Sequence, residues 1–206
     1  DKVINRADKT IINDLYDMLV DFHLDVKGIK GHDSVYNDIQ NEYPKKKWLE
    51  KNDYKFDTLC DLYSLFSTSQ TIIYCNHQQS VENLTRKLQD ENFKVSFIHG
   101  SMSIMEREDA MKKFRSLNTR VLISTDLLGR GIDVQQVSIV INYDIPFKNE
   151  SYIHRIGRSG RHGRSGTAIN FVTNNDIRRI NEIEKYYGIK IGDLPADLSK
   201  VFTNNE

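Results

Sequence analysis

The sequence predicts an α/β protein in which a mainly parallel sheet lies between two layers of helices. Short apolar runs rich in β-branched and aromatic residues, such as residues 71–75, are typical of strands buried on both faces of a sheet. Between these runs, apolar residues recur at helical spacing over about ten residues. Strands that alternate with helices form βαβ units, and their right-handed crossovers make the sheet parallel.

Capping signals place two of the helices. Ser80 is predicted to cap the helix that carries Val81, Leu84 and Leu88, and Ser103-Ile-Met-Glu106 is a capping box. The other helices are predicted over residues 55–66, 150–156 and 176–187. The predicted strands cover residues 71–75, 94–98, 120–124, 138–143 and 167–172.

The first fifty residues have a different pattern. Residues 9–22 predict an amphipathic helix, and the polar run that ends at Lys47 predicts a loop. The lysines beside Trp48 could form a phosphate-binding and stacking patch, but we favour a solvated linker. The sequence therefore predicts an extension or linker over residues 1–50 and a domain over residues 51–206.

Composition limits the classes of function. Lysine plus arginine and aspartate plus glutamate each number 29, so bulk charge does not predict nucleic-acid coating, and any such binding must be local. No apolar run reaches the roughly 20 residues of a membrane span, so no membrane partner is expected. Cys60 and Cys75 lack metal-site spacing, and we expect a reducing, cytoplasmic or nuclear location.

The loop after the second predicted strand combines His99 and Gly100 with Arg107 in the helix that follows. A glycine allows close backbone approach, and a helix N-terminus offers free N–H groups to a phosphate. An ordinary strand–turn–helix connection explains the same residues, and on this loop alone it is the favoured interpretation.

The loop after the third predicted strand is dense in polar groups. Residues 124–133 hold two hydroxyls, two carboxylates, one arginine and two glycines. Hydroxyls suit phosphate oxygens, and a carboxylate suits a ribose hydroxyl. The alternative is an ion-paired turn in which Arg130 bonds Asp126 or Asp133, and we favour nucleotide or nucleic-acid contact.

Arginines recur at every third residue from Arg155 to Arg164, interleaved with glycines. A guanidinium group binds two phosphate oxygens at once through parallel N–H groups, and glycines let the chain approach a polyphosphate. A generic basic RNA patch is the alternative, and the fixed spacing favours the specific site. No P-loop motif or acidic Walker-B cluster occurs, so these arginines form half of a composite nucleotide site.

From about residue 54 to residue 202 the chain resembles the C-terminal half of the DEAD-box helicases of superfamily 2. The resemblance implies a RecA-like three-layer sandwich, the fold of the helicase C-terminal domain. It is carried by Asp57-Thr-Leu-Cys-Asp-Leu62, residues 124–137, Val140-Ile-Asn-Tyr-Asp144 and, most specifically, residues 152–161.

The resemblance implies roles for individual residues. Asp126, His154 and Arg155 would couple the ATP and RNA sites. Gly131 and Asp133 would approach the nucleotide, with Asp133 on the ribose, and Arg158 and Arg161 would be arginine fingers on the γ-phosphate. RNA contacts are implied for Asn76, His99, Gly100, Arg107 and Thr125.

The resemblance also implies partners and activity. The whole protein would be an ATP-dependent RNA helicase that uses ATP with Mg²⁺, and the metal would be held by an N-terminal RecA-like domain. RNA, that domain and a scaffold protein of the translation-initiation or exon-junction type are the expected partners. This domain alone is expected to be inactive; it has no metal site of its own. A non-catalytic RNA- or scaffold-binding module is the alternative, and a DNA translocase is disfavoured.

Overall fold

A parallel sheet forms the centre of the protein. The computed structural model describes residues 45–49, 54–66, 69–129, 137–159 and 166–194. The strands are Lys45–Leu49 (β1), Thr71–Tyr74 (β2), Val95–Ile98 (β3), Val121–Ser124 (β4), Ile139–Asn142 (β5), Thr167–Thr173 (β6) and Gly192–Asp193 (β7). Within the described ranges they lie in the order β3-β4-β2-β5-β6-β1-β7, and every pair is parallel.

Helices cover both faces of this sheet. They are Tyr54–Phe66 (α1), Gln78–Asp90 (α2), Ile104–Arg115 (α3), Asn149–Ile156 (α4) and Ile177–Tyr187 (α5). Ile73 packs in the cluster that contains residues of α1 and α2, whereas Ile72 packs with α3, because successive strand residues point to opposite faces. Helices α4 and α5 pack on Ala168 of β6. The predicted α/β three-layer architecture is confirmed.

The predicted capping box at the start of α3 is confirmed. The backbone N–H of Glu106 donates to Ser103 Oγ at 3.3 Å, and the N–H of Ser103 donates to Glu106 Oε2 at 2.7 Å. Hydrogen bonds from the side chain and backbone of Ser103 lower the pKa of Glu106. This cap fixes the point at which the loop after β3 turns into helix.

Two local predictions are wrong. Helix α2 begins at Gln78, and its N-cap is His77, so Ser80 does not cap it. The N–H of Val81 already bonds the His77 carbonyl at 3.1 Å, which places Ser80 inside the first turn. Lys45–Leu49 is a strand between β6 and β7, where a loop ending at Lys47 was predicted. Backbone pairing to β6 does not depend on side-chain polarity, so the lysines are no obstacle.

The remaining N-terminal prediction, a helix over residues 9–22, lies outside the described residues. The division at residue 51 stays a prediction, although the sheet reaches back to Lys45. None of the described helices has the length and apolar character needed to cross a membrane.

Leu117 has an unfavourable backbone conformation in the turn after α3. Its φ is 62°, in the left-handed region, and the residue is 47% exposed. We expect Leu117→Gly to raise the free energy of unfolding by about 1 kcal/mol, because glycine adopts this conformation without a Cβ clash. Urea denaturation measures the change.

Asn92 is the matched control, since its φ is 63° and asparagine tolerates this region better than leucine. Asn92→Gly should therefore give a smaller gain. A Leu117→Gly variant that is less stable than the parent would contradict the strain assigned to this turn.

Candidate functional site

The carboxyl ends of β4, β2 and β5 meet at one edge of the sheet, because these parallel strands are neighbours. The residues that follow them are Thr125 and Asp126 after β4, Asn76 after β2, and Asp144 after β5. Ligands of open α/β sheets bind at this edge. The fold thus brings together two of the three loops that the sequence singles out, those carrying Asp126 and Arg155.

Arg155, in the last turn of α4, connects these loops. Its guanidinium Nε donates to Asp126 Oδ1 at 2.5 Å, and Nη2 donates to Asn76 Oδ1 at 2.9 Å. Nη1 donates to Asn142 Oδ1 at 3.2 Å and to the Asp144 carbonyl at 2.8 Å. The side chain is 2% exposed. Arg155 therefore holds the ends of three strands in one arrangement.

Only arginine fits this position. Its planar fork carries five N–H donors in fixed directions, whereas lysine has three donors on one rotating nitrogen. Burial of the charge is compensated by the Asp126 carboxylate and by three further acceptors. The guanidinium carbon also lies 5.1 Å from the centre of the Tyr74 ring.

A second line of buried polar groups supports Arg155 from inside the sheet. Asn142 Nδ2 donates to Asn170 Oδ1 at 2.8 Å, and Asn170 Nδ2 lies 3.3 Å from the Tyr152 hydroxyl. Sequence reasoning gave none of these side chains a role. The available signal was an asparagine inside each of two apolar strands, and these asparagines are register partners.

A cavity of about 330 Å³ opens beside this network. Asp126, His154 and Arg155, the residues expected to couple two sites, all line it, together with Tyr74, Lys148, Glu150 and Ser151. The Asp126 side chain is 46% exposed, so its carboxylate faces both Arg155 and the cavity. Burial raises the pKa of Tyr74, and the charges of Arg158 and Arg155 oppose that rise.

Arg158 leaves α4 on a fixed backbone. Its N–H bonds the Arg155 carbonyl at 3.1 Å, and its carbonyl accepts from the N–H of Val137 at 2.8 Å. Its side chain is partly exposed, and the guanidinium makes no hydrogen bond to another described residue. An arginine with free donors on an anchored backbone can bind an anion.

The predicted site residues in and after the loop that follows β3 contact one another and do not contact Arg155. Arg107 Nη2 donates to the Gly100 carbonyl at 2.7 Å, and its buried Nε has no partner among the described residues. A Cβ at Gly100 would lie 3.2 Å from Gln78 Nε2. His99 is 5% exposed, with Nδ1 at 2.9 Å from Ser101 Oγ and Nε2 at 3.3 Å from Glu82. The buried ring of His99 therefore stabilises the loop through its contacts with Ser101 and Glu82.

The side chain of Asn76 is also bonded inside the protein. Its Nδ2 donates to the Ile145 carbonyl at 2.8 Å, and its Oδ1 accepts from Arg155. The RNA contacts of Asn76, His99, Gly100, Arg107 and Thr125 stay predictions.

Three of the predicted site residues, Gly131, Asp133 and Arg161, lie outside the described residues. The same is true of Arg130, so its pairing with Asp126 is not described, but Asp126 does pair with Arg155. Among the residues that the structure describes, no group of three or more His, Cys, Asp or Glu side chains could hold a metal ion.

Comparison with known proteins agrees with this geometry. The helicase conserved C-terminal domain family matches residues 54–163. The ATP-dependent RNA helicase eIF4A of Candida albicans is 56% identical over 154 residues, which are 75% of this chain and 39% of that protein. The ATP-dependent RNA helicase FAL1 of Vanderwaltozyma polyspora is 58% identical over 153 residues, 74% of this chain and 38% of that protein.

A solved structure shows the same fold. Dbp5 of S. cerevisiae, bound to RNA and ADP BeF3, superposes with a TM-score of 0.74 at 34% identity, over 81% of this chain and 46% of that one. Fold and site together define a RecA-like helicase domain. The chain belongs to the DEAD-box helicases and corresponds to their C-terminal RecA-like domain. It spans about 39% of the length of the curated relatives it matches.

Arg155→Lys tests the hydrogen-bond network. We expect the free energy of unfolding to fall by about 2–3 kcal/mol, because the charge stays while several buried acceptors lose their donors. Urea denaturation of the chain measures this loss.

Arg178→Lys is the matched control, because Arg178 pairs with Glu182 on the surface of α5 with its side chain 91% exposed. It should leave the denaturation midpoint unchanged. Equal effects of the two substitutions would show that the Arg155 network contributes no more to the free energy of unfolding than a surface ion pair does.

Proposed function

We propose that this chain is the second RecA-like domain of an ATP-dependent RNA helicase and supplies half of its ATP site. The observation that carries the proposal is Arg155. It fixes the C-terminal end of α4 against the ends of β2, β4 and β5, and α4 leads directly into the arginine segment. The relatives named as ATP-dependent RNA helicases support the same activity.

In the ATP half, Arg158 and Arg161 would bind the γ-phosphate, while Asp133, near Gly131, would bond the ribose. The anchored backbone of Arg158, and a guanidinium that bonds none of the other described residues, suit this role. ATP with Mg²⁺ would supply the phosphoryl group, and the N-terminal RecA-like domain would hold the metal. Arginines placed there stabilise the charge that develops on the transferred group, which is worth roughly 10³–10⁵ in rate.

The RNA half would consist of the loops after β2, β3 and β4. Gly100 and Thr125 would approach the RNA backbone directly, together with Arg107. Asn76 and His99 are proposed RNA contacts as well, and the hydrogen bonds of their side chains within the protein would hold their loops in position. Contacts to phosphate and 2′-OH groups do not read sequence, and the 2′-OH contacts discriminate RNA from DNA.

Coupling between the two halves would pass through Asp126, His154 and Arg155, which line one cavity. Domain closure would bring the N-terminal RecA-like domain against this face, align the arginines with ATP and bend the RNA, which separates short duplexes. The chain alone would then hydrolyse no ATP. A scaffold protein of the translation-initiation or exon-junction type, which the family resemblance implies, is a further proposed partner.

The test is RNA-stimulated ATP hydrolysis by the complete protein. We expect Arg161→Ala to lower turnover by about 10³-fold or more, because the developing charge loses its guanidinium, while most ATP binding remains. Turnover is measured with saturating single-stranded RNA, and binding with a fluorescent ATP analogue.

Arg178→Ala is the control, since Arg178 lies exposed on α5, and it should keep full turnover. The 206-residue chain without the first domain should show only background hydrolysis. Normal turnover by Arg161→Ala would contradict the finger role, and hydrolysis by the chain alone would contradict the composite site.

A further inference from the structure

A buried lysine reaches the Arg155 network from the other layer of helices. Lys55 lies in the first turn of α1, on a different helix layer from α4, and is 4% exposed. Its Nζ is 3.3 Å from Asp144 Oδ1 and 5.6 Å from the centre of the Tyr143 ring. A lysine this deeply buried requires a specific partner, and the carboxylate of Asp144 is that partner.

Asp144 transmits this contact to Arg155 by two routes. Its carbonyl accepts directly from Arg155 Nη1 at 2.8 Å. Its Oδ2 accepts from the backbone N–H of Asn76 at 3.1 Å, and Asn76 Oδ1 in turn accepts from Arg155 Nη2 at 2.9 Å. Two of the four acceptors of Arg155 therefore belong to residues held by the carboxylate that Lys55 binds.

Lys55 is the cation that holds this carboxylate in place. Arg155 bonds the backbone carbonyl of Asp144, while its own ion pair is with Asp126. The Asp144 side chain is 24% exposed, so without Lys55 it could turn to water and release the N–H of Asn76. Lys55 does not line the cavity beside Arg155, and its described ion pair is with Asp144.

We propose that Lys55 is a positioning residue for Arg155 that acts through Asp144 and Asn76. In this arrangement α1 sets the orientation of the guanidinium on which the end of α4 depends. The consequence for turnover rests on the proposed function, but the consequence for Arg155 itself does not.

Two measurements test this proposal. The first is the Arg155 Nε–H signal in ¹⁵N NMR spectra of the chain. The bond to Asp126 should protect this proton from solvent exchange as long as the Nη1 and Nη2 bonds hold the guanidinium in place. Lys55→Met should abolish that protection, and Lys55→Arg should restore it at least in part. The second is RNA-stimulated ATP turnover by the complete protein, where Lys55→Met should lower kcat by about tenfold to a hundredfold with little change in KM for ATP.

Lys113→Met is the matched control. Lys113 is paired with Asp109 at 2.6 Å on the exposed face of α3, so its loss should move neither readout. Asp144→Asn removes the charge from the other side of the pair and should also expose the Arg155 Nε–H. If Lys55→Met does not fold, Asp144→Asn alone decides whether the Lys55–Asp144 pair positions Arg155.

If Lys55 had only a structural role, Lys55→Met would lower the melting temperature and leave the protection of the Arg155 Nε–H intact in the folded protein. That result, or failure of both Asp144→Asn and Lys55→Met to alter the signal, overturns the proposal. If the parent protein has no RNA-stimulated turnover, the proposed function fails, while the NMR comparison still decides the role of Lys55.

Discussion

The burial of one arginine constrains the candidate site more than any other interaction. Arg155 is 1% exposed, and Asp126, Asn76, Asn142 and the Asp144 carbonyl accept its N–H groups and so compensate the burial of its charge. These acceptors come from the ends of three strands and their loops. The loops therefore cannot move independently without leaving buried polar groups unsatisfied.

This constraint would prepare the proposed half of an ATP site for its other half. Arg158 needs no partner within the described residues because its backbone is already anchored through Arg155 and Val137. Its guanidinium stays available to an anion supplied from outside. Preorganised charge of this kind is effective in phosphoryl transfer because little reorganisation is needed when the partner arrives.

The elements that sequence predicts well are those whose signal is local. The buried strands and helices from Tyr54 to Tyr187 follow from hydrophobic periodicity, and the capping box at Ser103 follows from residue type and spacing. Strand β1 could not be predicted from its lysines, because its place depends on the edge that β6 presents. The start of α2 at Gln78 likewise could not be predicted, because its N-cap residue makes no side-chain capping hydrogen bond.

The site was only partly predictable for the same reason. Motif spacing identifies Asp126 and Arg155, but their direct contact joins residues far apart in sequence. Asp144 ends one of the motifs that carry the resemblance, but the sequence assigned no role to it or to Lys55. Their pairing exists only after α1 has packed beside β5. Asn76 and His99 match a pattern of RNA contacts, yet their side chains are bonded inward, which spacing alone does not reveal.

A crystal structure of the complete protein with single-stranded RNA and a non-hydrolysable ATP analogue tests the central claim most directly. With Arg155 still bonded to Asp126 and Asn76, the guanidinium groups of Arg158 and Arg161 should lie within hydrogen-bond distance of the terminal phosphate. A closed complex in which both arginines point to solvent, or in which Arg155 has left its acceptors, would contradict the account.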